Sequence, residues 1–436
     1  MASWRLDSIL LAVWPNRQKS NGSDSLKTSI GMQAMDTTTN SLLCWRLREP
    51  LTSETVLSDS SGALDLDLPE RITAGTGRFG IKYNQIQAGS AAGMHCLTID
   101  TGTVAAMILP DRGMGLWKCW SGDLEFGWQS PVSGPVHPSL IPVHDASGIG
   151  WLEGFDELLV RCGLQSNGAP EFAENGTMRY PLHGRIANLP AHRLDMQIDV
   201  ENGILDVIGA VSESRFLVYS LELQTRYRFR VGSPVIEIID TVTNRSSQSG
   251  SMQLLYHINL GQPVLQSGST VHTPFRSLAP RDARAAESVT QWNQCSGPAT
   301  GFSEQVYFID PIGDEHNWSE AMLASSDGTF GFAVHFDTRT LPFMTLWKNT
   351  AAVEDGYVVG LEPGTGFPNT RTFEERNGRV VALQGGESRT FRLKLQPLTT
   401  SNAVTQSRSR IESLQSFKGV LRESPQSGQS SAAKPS

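Results

Sequence analysis

The chain has 436 residues, of which 39% are hydrophobic and 18% are charged, and its formal net charge is −8. This balance is typical of a globular protein with a sizeable core, and it disfavours nucleic acid or an anionic membrane surface as the main partner. No stretch approaches the roughly 20 apolar residues that a membrane-spanning helix needs.

The N-terminal segment is the first feature along the chain. The apolar run Ile9–Trp14 is short and is followed by Pro15-Asn16-Arg17 instead of a small-residue cleavage site, which disfavours a signal peptide. The five cysteines are far apart and form no CxxC pair, a pattern that predicts reduced thiols and a cytoplasmic location. Residues 16–41 are rich in Ser, Thr, Asn, Lys and Met and show no apolar period, so 1–41 is predicted to be a flexible extension.

Period-two alternation dominates the centre of the chain. In the segment 221–231, apolar side chains and mostly charged or amide side chains alternate, as in a half-buried antiparallel strand. Similar runs predict strands at 97–109, 204–212, 234–243, 251–260, 329–336 and 388–396. Short helices are predicted only at 152–161 and 281–289. This pattern predicts an all-β protein, a large antiparallel sandwich or barrel, with a single domain over 42–398.

Residues 399–436 are rich in Ser, Gln and Arg. Such a segment buries little apolar area to offset its ordering entropy, so a disordered tail is predicted.

A glycine-rich segment, Gly75–Gly80, matches the GxGxxG pattern of dinucleotide-binding loops. That fold needs a helix directly after the glycines, whereas the alternation that follows Gly80 is typical of a strand. The match is therefore interpreted as chance, and no cofactor is predicted. A metal site is also not predicted, because the histidines lack the spacing of metal ligands.

His257 lies in the predicted strand 251–260. Alternation places His257, Gln253 and Asn259 on one, mostly polar, face of that strand. A histidine in this setting can transfer a proton near neutral pH, and it can equally be a hydrogen-bonded structural residue. The strand alone leaves both interpretations open.

Two further stretches carry polar side chains next to turns. His183-Gly184-Arg185 forms a compact loop that suits hydrogen bonds to substrate hydroxyls or to an anionic group, although a structural role is the more common one. Arg112 follows the end of the predicted strand 97–109. Together with Asp111 it forms either a self-satisfied pair or a group that reaches into a pocket.

Glu362 ends an apolar run, Val358–Leu361, immediately before a turn rich in Pro and Gly. A carboxylate at the mouth of a rigid strand is well placed for proton transfer, because the scaffold fixes its position. Taken alone, an exposed turn residue is the more common interpretation.

Four motifs occur in a fixed order: PLHGRIANLPAH, LLYHINLGQP, LPFMTLWKN and VVGLEPGTGFPNTR. Together they resemble the aldose 1-epimerase (galactose mutarotase-like) superfamily, and in particular its poorly characterised bacterial branch, over roughly residues 73–398. The resemblance implies a β-sandwich of two large antiparallel sheets with a sugar bound in a concave face.

The resemblance also implies site residues. Glu362 matches the base that takes the proton from the anomeric hydroxyl, and His257 matches the acid that protonates the ring oxygen. His183 matches a histidine that binds sugar hydroxyls, and Arg112 is a weaker match to a substrate-binding arginine. Further substrate-binding candidates are Asn259, next to His257 on its strand face, the aromatic Trp347, and the cations Arg185 and Lys348.

The chain departs from the family pattern in one region. The usual epimerases carry an Asp-His pair before the glutamate, and the corresponding segment here, Ser303–Phe308, lacks it. Together with the charges of Arg185 and Lys348, this adds an acidic or phosphorylated sugar to the candidate substrates. Two other functions stay open: a carbohydrate-binding or sensing protein without turnover, and a sugar isomerase or lyase that uses the same glutamate on a carbon-bound proton.

Overall fold

The structure, a computed structural model, describes residues 41–50 and 68–431. The predicted extension 1–41 lies outside the described residues except for its last residue. None of the helices in the described ranges is long and apolar enough to cross a membrane. The α-helices are α1 (Ala283–Ala286), α2 (Arg371–Arg376) and α3 (Ser401–Leu414).

The strands in chain order are β1 (Leu42–Arg48), β2 (Arg71–Ala74), β3 (Gly77–Gln85), β4 (His95–Asp100), β5 (Ala105–Leu109), β6 (Gly115–Ser121), β7 (Leu124–Phe126), β8 (Leu159–Leu164), β9 (Glu171–Phe172), β10 (Met178–Tyr180), β11 (Arg193–Asp199), β12 (Ile204–Arg215), β13 (Tyr219–Arg230), β14 (Ile236–Asn244), β15 (Gly250–Leu260), β16 (Thr270–His272), β17 (Phe275–Pro280), β18 (Gln305–Pro311), β19 (Trp318–Ala324), β20 (Gly331–Asp337), β21 (Phe343–Asn349), β22 (Val358–Gly364), β23 (Val381–Leu383), β24 (Ser388–Leu398) and β25 (Val420–Leu421).

Two large sheets contain almost all of these strands. The nine-stranded sheet has the order β1-β11-β12-β13-β14-β24-β20-β19-β16. The fourteen-stranded sheet follows the path β2-β3-β4-β5-β6-β8-β15-β22-β21-β18-β17-β25, with β7 on β6 and β23 on β15. Their pairings are antiparallel except that of β25 with β17. The predicted all-β antiparallel sandwich is confirmed.

The predicted strands agree with the structure, whereas one predicted helix does not. The run 97–109 is two strands, β4 and β5, separated by a turn. The helix predicted at 152–161 is wrong: a 3-10 turn, Gly150–Gly154, leads into β8, whose six residues are all buried. A strand that is buried on both faces, here including the ion-paired Arg161, lacks the apolar–polar alternation that identifies a half-buried strand. Gly75–Gly80 lies in a β2–β3 hairpin, and a strand follows Gly80 as predicted, instead of the helix that a dinucleotide-binding loop needs.

The main hydrophobic core lies between the two sheets. Alternate residues of β15 and β22, such as Ile258 and Leu361, contribute to it together with Leu346 of β21. A buried ion pair crosses this core: Arg161 of β8 donates two hydrogen bonds to Asp240 of β14, and the Tyr256 hydroxyl donates a third. Side chains on a strand point alternately to opposite faces, so the intervening residues of β15 and β22 face away from the core.

A second, smaller cluster covers that other face of the fourteen-stranded sheet. Its sheet residues are Val160, Cys162, Leu255 and Val358, and its loop residues are Trp128, Trp151, Phe155 and Ala187, with Leu182 and Trp347 packed against them. The loop between β7 and β8 is therefore anchored to the outer face by its aromatic side chains. The candidate site lies between this loop and the sheet.

The disordered tail predicted for 399–436 is wrong for its described part, residues 399–431. Helix α3 packs Val404 and Ile411 into a small cluster on the nine-stranded sheet, and Ser407 and Arg410 hydrogen-bond to Glu320 of β19. The Ser407 hydroxyl and the half-exposed Arg410 both contact the buried Glu320, and these contacts supply interactions that the sparse apolar content of the segment does not. Beyond α3, β25 pairs with β17 at the edge of the other sheet.

Candidate active site

Strand pairing brings Glu362 and His257 together. Ile258 of β15 pairs with Leu361 of β22, so the residues beside them, His257 and Glu362, face each other on the outer face of the sheet. His257 Nε2 lies 3.2 Å from Glu362 Oε1, and both side chains are almost fully buried. The contact is close but not aligned as a hydrogen bond, and Glu362 Oε1 has no hydrogen-bond partner among the described residues.

Asn259 sets the orientation of the His257 ring. Its Nδ2 donates to the Glu157 carbonyl at 2.9 Å, which leaves Oδ1 facing His257 Nδ1 at 2.5 Å. Because an amide oxygen can only accept, Nδ1 must carry the proton of that hydrogen bond. In a neutral His257 the Nε2 atom is then an acceptor, and it points at Glu362.

Two acceptor atoms, Glu362 Oε1 and His257 Nε2, would therefore face each other unless one of these two groups carries a proton. Burial raises the pKa of Glu362 well above its ordinary value, and the nearby charge of Glu304 raises it further. Burial also lowers the pKa of His257 well below its ordinary value, and His183 lowers it further. Both shifts favour a neutral pair, in which the carboxyl of Glu362 holds the proton and His257 is a neutral imidazole.

Three rings pack around His257. Phe155, Trp347 and His183 lie with ring centroids 5.0, 5.3 and 5.5 Å from the His257 ring, each nearly perpendicular to it. Edge-to-face contacts at these distances are favourable and exclude water. This aromatic surround is the physical source of the desolvation that shifts both pKa values.

The loop after β10 presents His183 to this group. His183 adopts a left-handed backbone conformation with φ of 56°, and Gly184 follows with φ of 73°. Its Nδ1 donates to the Asn167 carbonyl at 2.9 Å, and its ring packs on Trp151 at 4.7 Å between centroids. A non-glycine residue in this conformation costs free energy, and such strain is concentrated at functional sites.

A second carboxylate, Glu304, lies at the other side of the site. Trp347 Nε1 donates to Glu304 Oε2 at 2.6 Å, and Arg281 donates to Glu304 Oε1 at 2.8 Å. The family resemblance singled out the segment Ser303–Phe308 only because it lacks the Asp-His pair of the usual epimerases. The structure places a charged pair there, partly exposed, and close enough to influence the protonation of Glu362.

Two further residues of the site were missed from the sequence. Thr345 pairs with Glu362 across β21 and β22, is almost fully buried, and its hydroxyl has no hydrogen-bond partner among the described residues. Gly360 lets the pair lie close to the strand backbone: a Cβ there would lie only 2.6 Å from Glu362 Oε1 and 3.2 Å from His257 Cε1. Alternation along β21 and β22 predicts that both share the face of Glu362.

Two of the predicted substrate-binding residues, Arg112 and Asn259, are buried, and their hydrogen bonds hold the loop of Phe155 and the His257 ring in place. Arg112 is fully buried, donates two hydrogen bonds to Glu157, and also bonds the Gly154 carbonyl and Asn188. These contacts use the guanidinium to hold the loop that carries Phe155. Asn259 is fully buried and is engaged by His257 and the Glu157 carbonyl.

The two predicted cations lie elsewhere. Lys348 follows Trp347 directly on β21 and therefore points to the opposite face, where its ammonium donates to the carbonyls of Trp292 and Gln294. The structure therefore does not bring Lys348 to the face of the sheet that carries Glu362 and His257. Arg185 donates to the Tyr219 hydroxyl and lines a separate cleft of about 420 Å³ with His144. The charges of Lys348 and Arg185 led to the expectation of an acidic or phosphorylated sugar. In the structure, both side chains make hydrogen bonds away from Glu362 and His257.

No group of three or more His, Cys, Asp or Glu side chains in the described ranges is arranged to hold a metal ion. The chemistry that the site residues can provide is proton transfer. The carboxyl of Glu362 and the imidazole of His257, with Oε1 and Nε2 3.2 Å apart, share the outer face of the sheet with Gly360, Thr345 and Trp347.

Comparison with known proteins identifies the family and the fold of the chain. Residues 91–396 match a family described as a domain of unknown function (DUF4432). A crystal structure from Klebsiella pneumoniae subsp. pneumoniae MGH 78578, described as "a putative aldose 1-epimerase", shares 31% sequence identity at a TM-score of 0.79, over 88% of this chain and 99% of that one. The chain belongs to the DUF4432 family, a branch of the galactose mutarotase-like superfamily.

More distant solved structures share only the fold. A galactose mutarotase-like protein from Clostridium acetobutylicum is 13% identical at a TM-score of 0.52, over 73% of this chain and 98% of that one. No protein with a curated description matches the chain. The family thus establishes the sandwich, while the reaction must be inferred from the residues of the site.

Proposed function

We propose that this protein is a cofactor-independent isomerase of the aldose 1-epimerase type, which interconverts the anomers of a sugar by ring opening and closure. The observation that carries the proposal is the buried Glu362–His257 pair, 3.2 Å apart, whose atoms Oε1 and Nε2 have no other partner among the described residues. A buried acid and base left without structural partners are available for chemistry.

The proposed cycle begins with transfer of the proton of the pair from Glu362 to His257 Nε2 when sugar binds. The resulting carboxylate takes the proton of the anomeric hydroxyl, and the imidazolium gives its proton to the ring oxygen as the C1–O5 bond breaks. Rotation about C1–C2 and the reverse transfers then close the ring as the other anomer. General acid and general base catalysis each typically contribute about 10²–10⁴-fold.

The remaining residues receive separate roles in this proposal. Trp347 offers an aromatic surface for the C–H face of a sugar, and His183 and Thr345 offer hydrogen bonds to hydroxyls. Asn259 and Arg112 are positioning residues, since the first orients His257 and the second holds the loop of Phe155. We propose an uncharged aldose as substrate, because the cations suggested by the sequence are engaged elsewhere.

The proposal is tested by polarimetry or ¹³C NMR on freshly dissolved α-aldoses. The protein should accelerate equilibration of at least one of them, and Glu362→Gln should lose that activity while remaining folded. A fully active Glu362→Gln variant would overturn the assignment of Glu362.

The same panel separates the other functions. Thermal stabilisation by a sugar without any acceleration would identify a binding or sensing protein. Deuterium uptake from solvent at C2 or C5 would identify an isomerase or lyase acting on carbon, because anomer exchange moves only hydroxyl protons.

A further inference from the structure

The end of the described chain returns to the candidate site. Residues 428–431, here named the C-terminal strap, follow a turn at Gln426 and make hydrogen bonds to two separate parts of the molecule. Ser430 of the strap is almost fully buried although it lies in a segment rich in Ser and Gly. Most buried polar side chains are hydrogen-bonded, and the Ser430 hydroxyl donates to the Arg281 carbonyl.

One end of the strap is fixed to the loop after β22. The Asn369 amide donates to the Gln429 carbonyl at 2.9 Å, and its oxygen accepts from the Ser431 backbone N–H at 3.0 Å and from the Ser431 hydroxyl at 3.1 Å. Arg379 adds a hydrogen bond to the Gly428 carbonyl at 2.7 Å. Asn369 is itself held by Glu374, so this anchor is rigid.

This anchor continues to His183. The Pro368 carbonyl accepts from Ala169 N–H, and Gly168 packs so closely on Asn369 that a Cβ would lie 2.1 Å from its carbonyl oxygen. The neighbouring backbone holds His183 twice, since His183 N–H donates to the Gly168 carbonyl and His183 Nδ1 donates to the Asn167 carbonyl. The loop that fixes the strained His183 thus rests on the segment that binds the strap.

The other anchor is Arg281, on the opposite wall of the site. The Ser430 hydroxyl donates to the Arg281 carbonyl at 2.5 Å. The guanidinium of Arg281 donates to Glu304, which accepts from the Trp347 indole, and Trp347 packs on His257. Two intervening residues therefore separate the strap from each of the rings that enclose His257: Arg281 and Glu304 on the path to Trp347, and Asn369 and Gly168 on the path to His183.

We infer that the C-terminal strap is a positioning segment of the active site: it joins the wall that carries Glu304 and Trp347 to the loop that carries His183. The inference deepens the proposed function and rests on it for its catalytic consequence, while its structural consequence can be measured without turnover. Glu362 and His257 are held by β15 and β22, so the strap acts on substrate binding more than on the chemical step.

The test compares two shortened chains with the full chain. One ends at Ser427 and lacks the strap, and the matched control ends at Ser431 and keeps it. In NMR spectra, the Trp347 indole N–H and the His183 ring signals, assigned with Trp347→Phe and His183→Asn, should shift in the chain ending at Ser427 and stay in place in the control. For the proposed reaction, KM should rise roughly tenfold, with kcat within about threefold, because misplacement weakens substrate orientation.

A full-length variant keeps the test decisive if the shorter chain fails to fold. Ser430→Ala combined with Ser431→Pro removes the hydroxyl bond to Arg281 and both Ser431 bonds to Asn369. The same NMR shifts are expected in this variant, with a cooperative thermal transition as the check of folding.

The outcomes separate the two proposals. Unchanged Trp347 and His183 signals in either folded strap variant would overturn the strap inference, whatever the activity. If the full chain accelerates no sugar, the proposed reaction fails, and NMR shifts in the strap variants would still support the strap as a link between the two walls.

Discussion

Glu362 and Asp240 are both buried carboxylates of strand residues, but their surroundings are opposite. Asp240, between the sheets, accepts two hydrogen bonds from Arg161 and one from the Tyr256 hydroxyl. Glu362 lies on the outer face, and among the described residues its Oε1 has only the unaligned 3.2 Å contact with His257. The inner carboxylate is fully compensated, whereas the outer one is desolvated without compensation.

The difference separates a structural from a chemical use of burial. A compensated ion pair fixes the geometry of the core, and breaking it leaves a buried charge alone. An uncompensated carboxyl keeps its proton and its lone pairs available, at a cost in folding free energy. The comparison predicts that substitutions at Asp240 change stability and that substitutions at Glu362 change activity.

The largest expected effect is the loss of activity in Glu362→Gln. The amide preserves the shape of the carboxyl but can neither take nor release the proton, so kcat/KM should fall by about 10²–10⁴-fold. The rate of anomer equilibration measures this change. Retention of more than a tenth of the activity would remove Glu362 from the chemical step.

The next effect is on stability. Asp240→Asn should lower the free energy of unfolding by about 3–5 kcal/mol, because Arg161 is left buried without its counter-charge. Urea denaturation measures this, with Glu362→Gln as the matched carboxyl-to-amide control, for which no such loss is expected. Equal destabilisation by the two substitutions would contradict the comparison.

The pH dependence of stability tests the raised pKa of Glu362. Because the folded protein binds this proton more tightly than the unfolded chain, stability should fall as pH rises above the ordinary carboxyl value, by about 1.4 kcal/mol per pH unit until the folded pKa is passed. The lowered pKa of His257 acts in the opposite sense below its ordinary value, where stability rises with pH.

The free energy of unfolding is measured for Glu362→Gln and for the wild type at each pH. Because both proteins contain His257, its contribution is reduced in the difference between the two values. The stability of the variant relative to the wild type should therefore increase with pH. A difference that stays constant between pH 5 and 8 would show that Glu362 does not hold its proton in this range.

A smaller effect distinguishes the two faces of β21. Trp347→Phe removes the indole bond to Glu304 and should lower kcat/KM by roughly three- to tenfold, about the worth of one hydrogen bond. Its neighbour Lys348 provides the control: Lys348→Met should lower the melting temperature and leave kcat/KM within about twofold. A loss of activity in Lys348→Met would contradict its placement on the inner face.

Strand alternation predicted most of the fold and part of the site. It placed His257 and Asn259 on one face, and applied to LPFMTLWKN it separates Trp347 and Thr345 from Lys348, since neighbouring strand residues cannot share a face. The role of Glu362 came mainly from the order of motifs. The partners of Arg112 and the contacts of α3 with Glu320 join residues far apart in the chain, which no local pattern reveals.

The hydrogen bond from His257 Nδ1 to the Asn259 amide limits which proton of His257 can be transferred. By keeping the Nδ1 proton engaged, it confines exchange to the single proton between Glu362 and Nε2. In the proposed reaction, ring opening moves this proton one way and ring closure returns it. The protein would then end each cycle in the protonation state in which it began, and its turnover would be insensitive to buffer concentration.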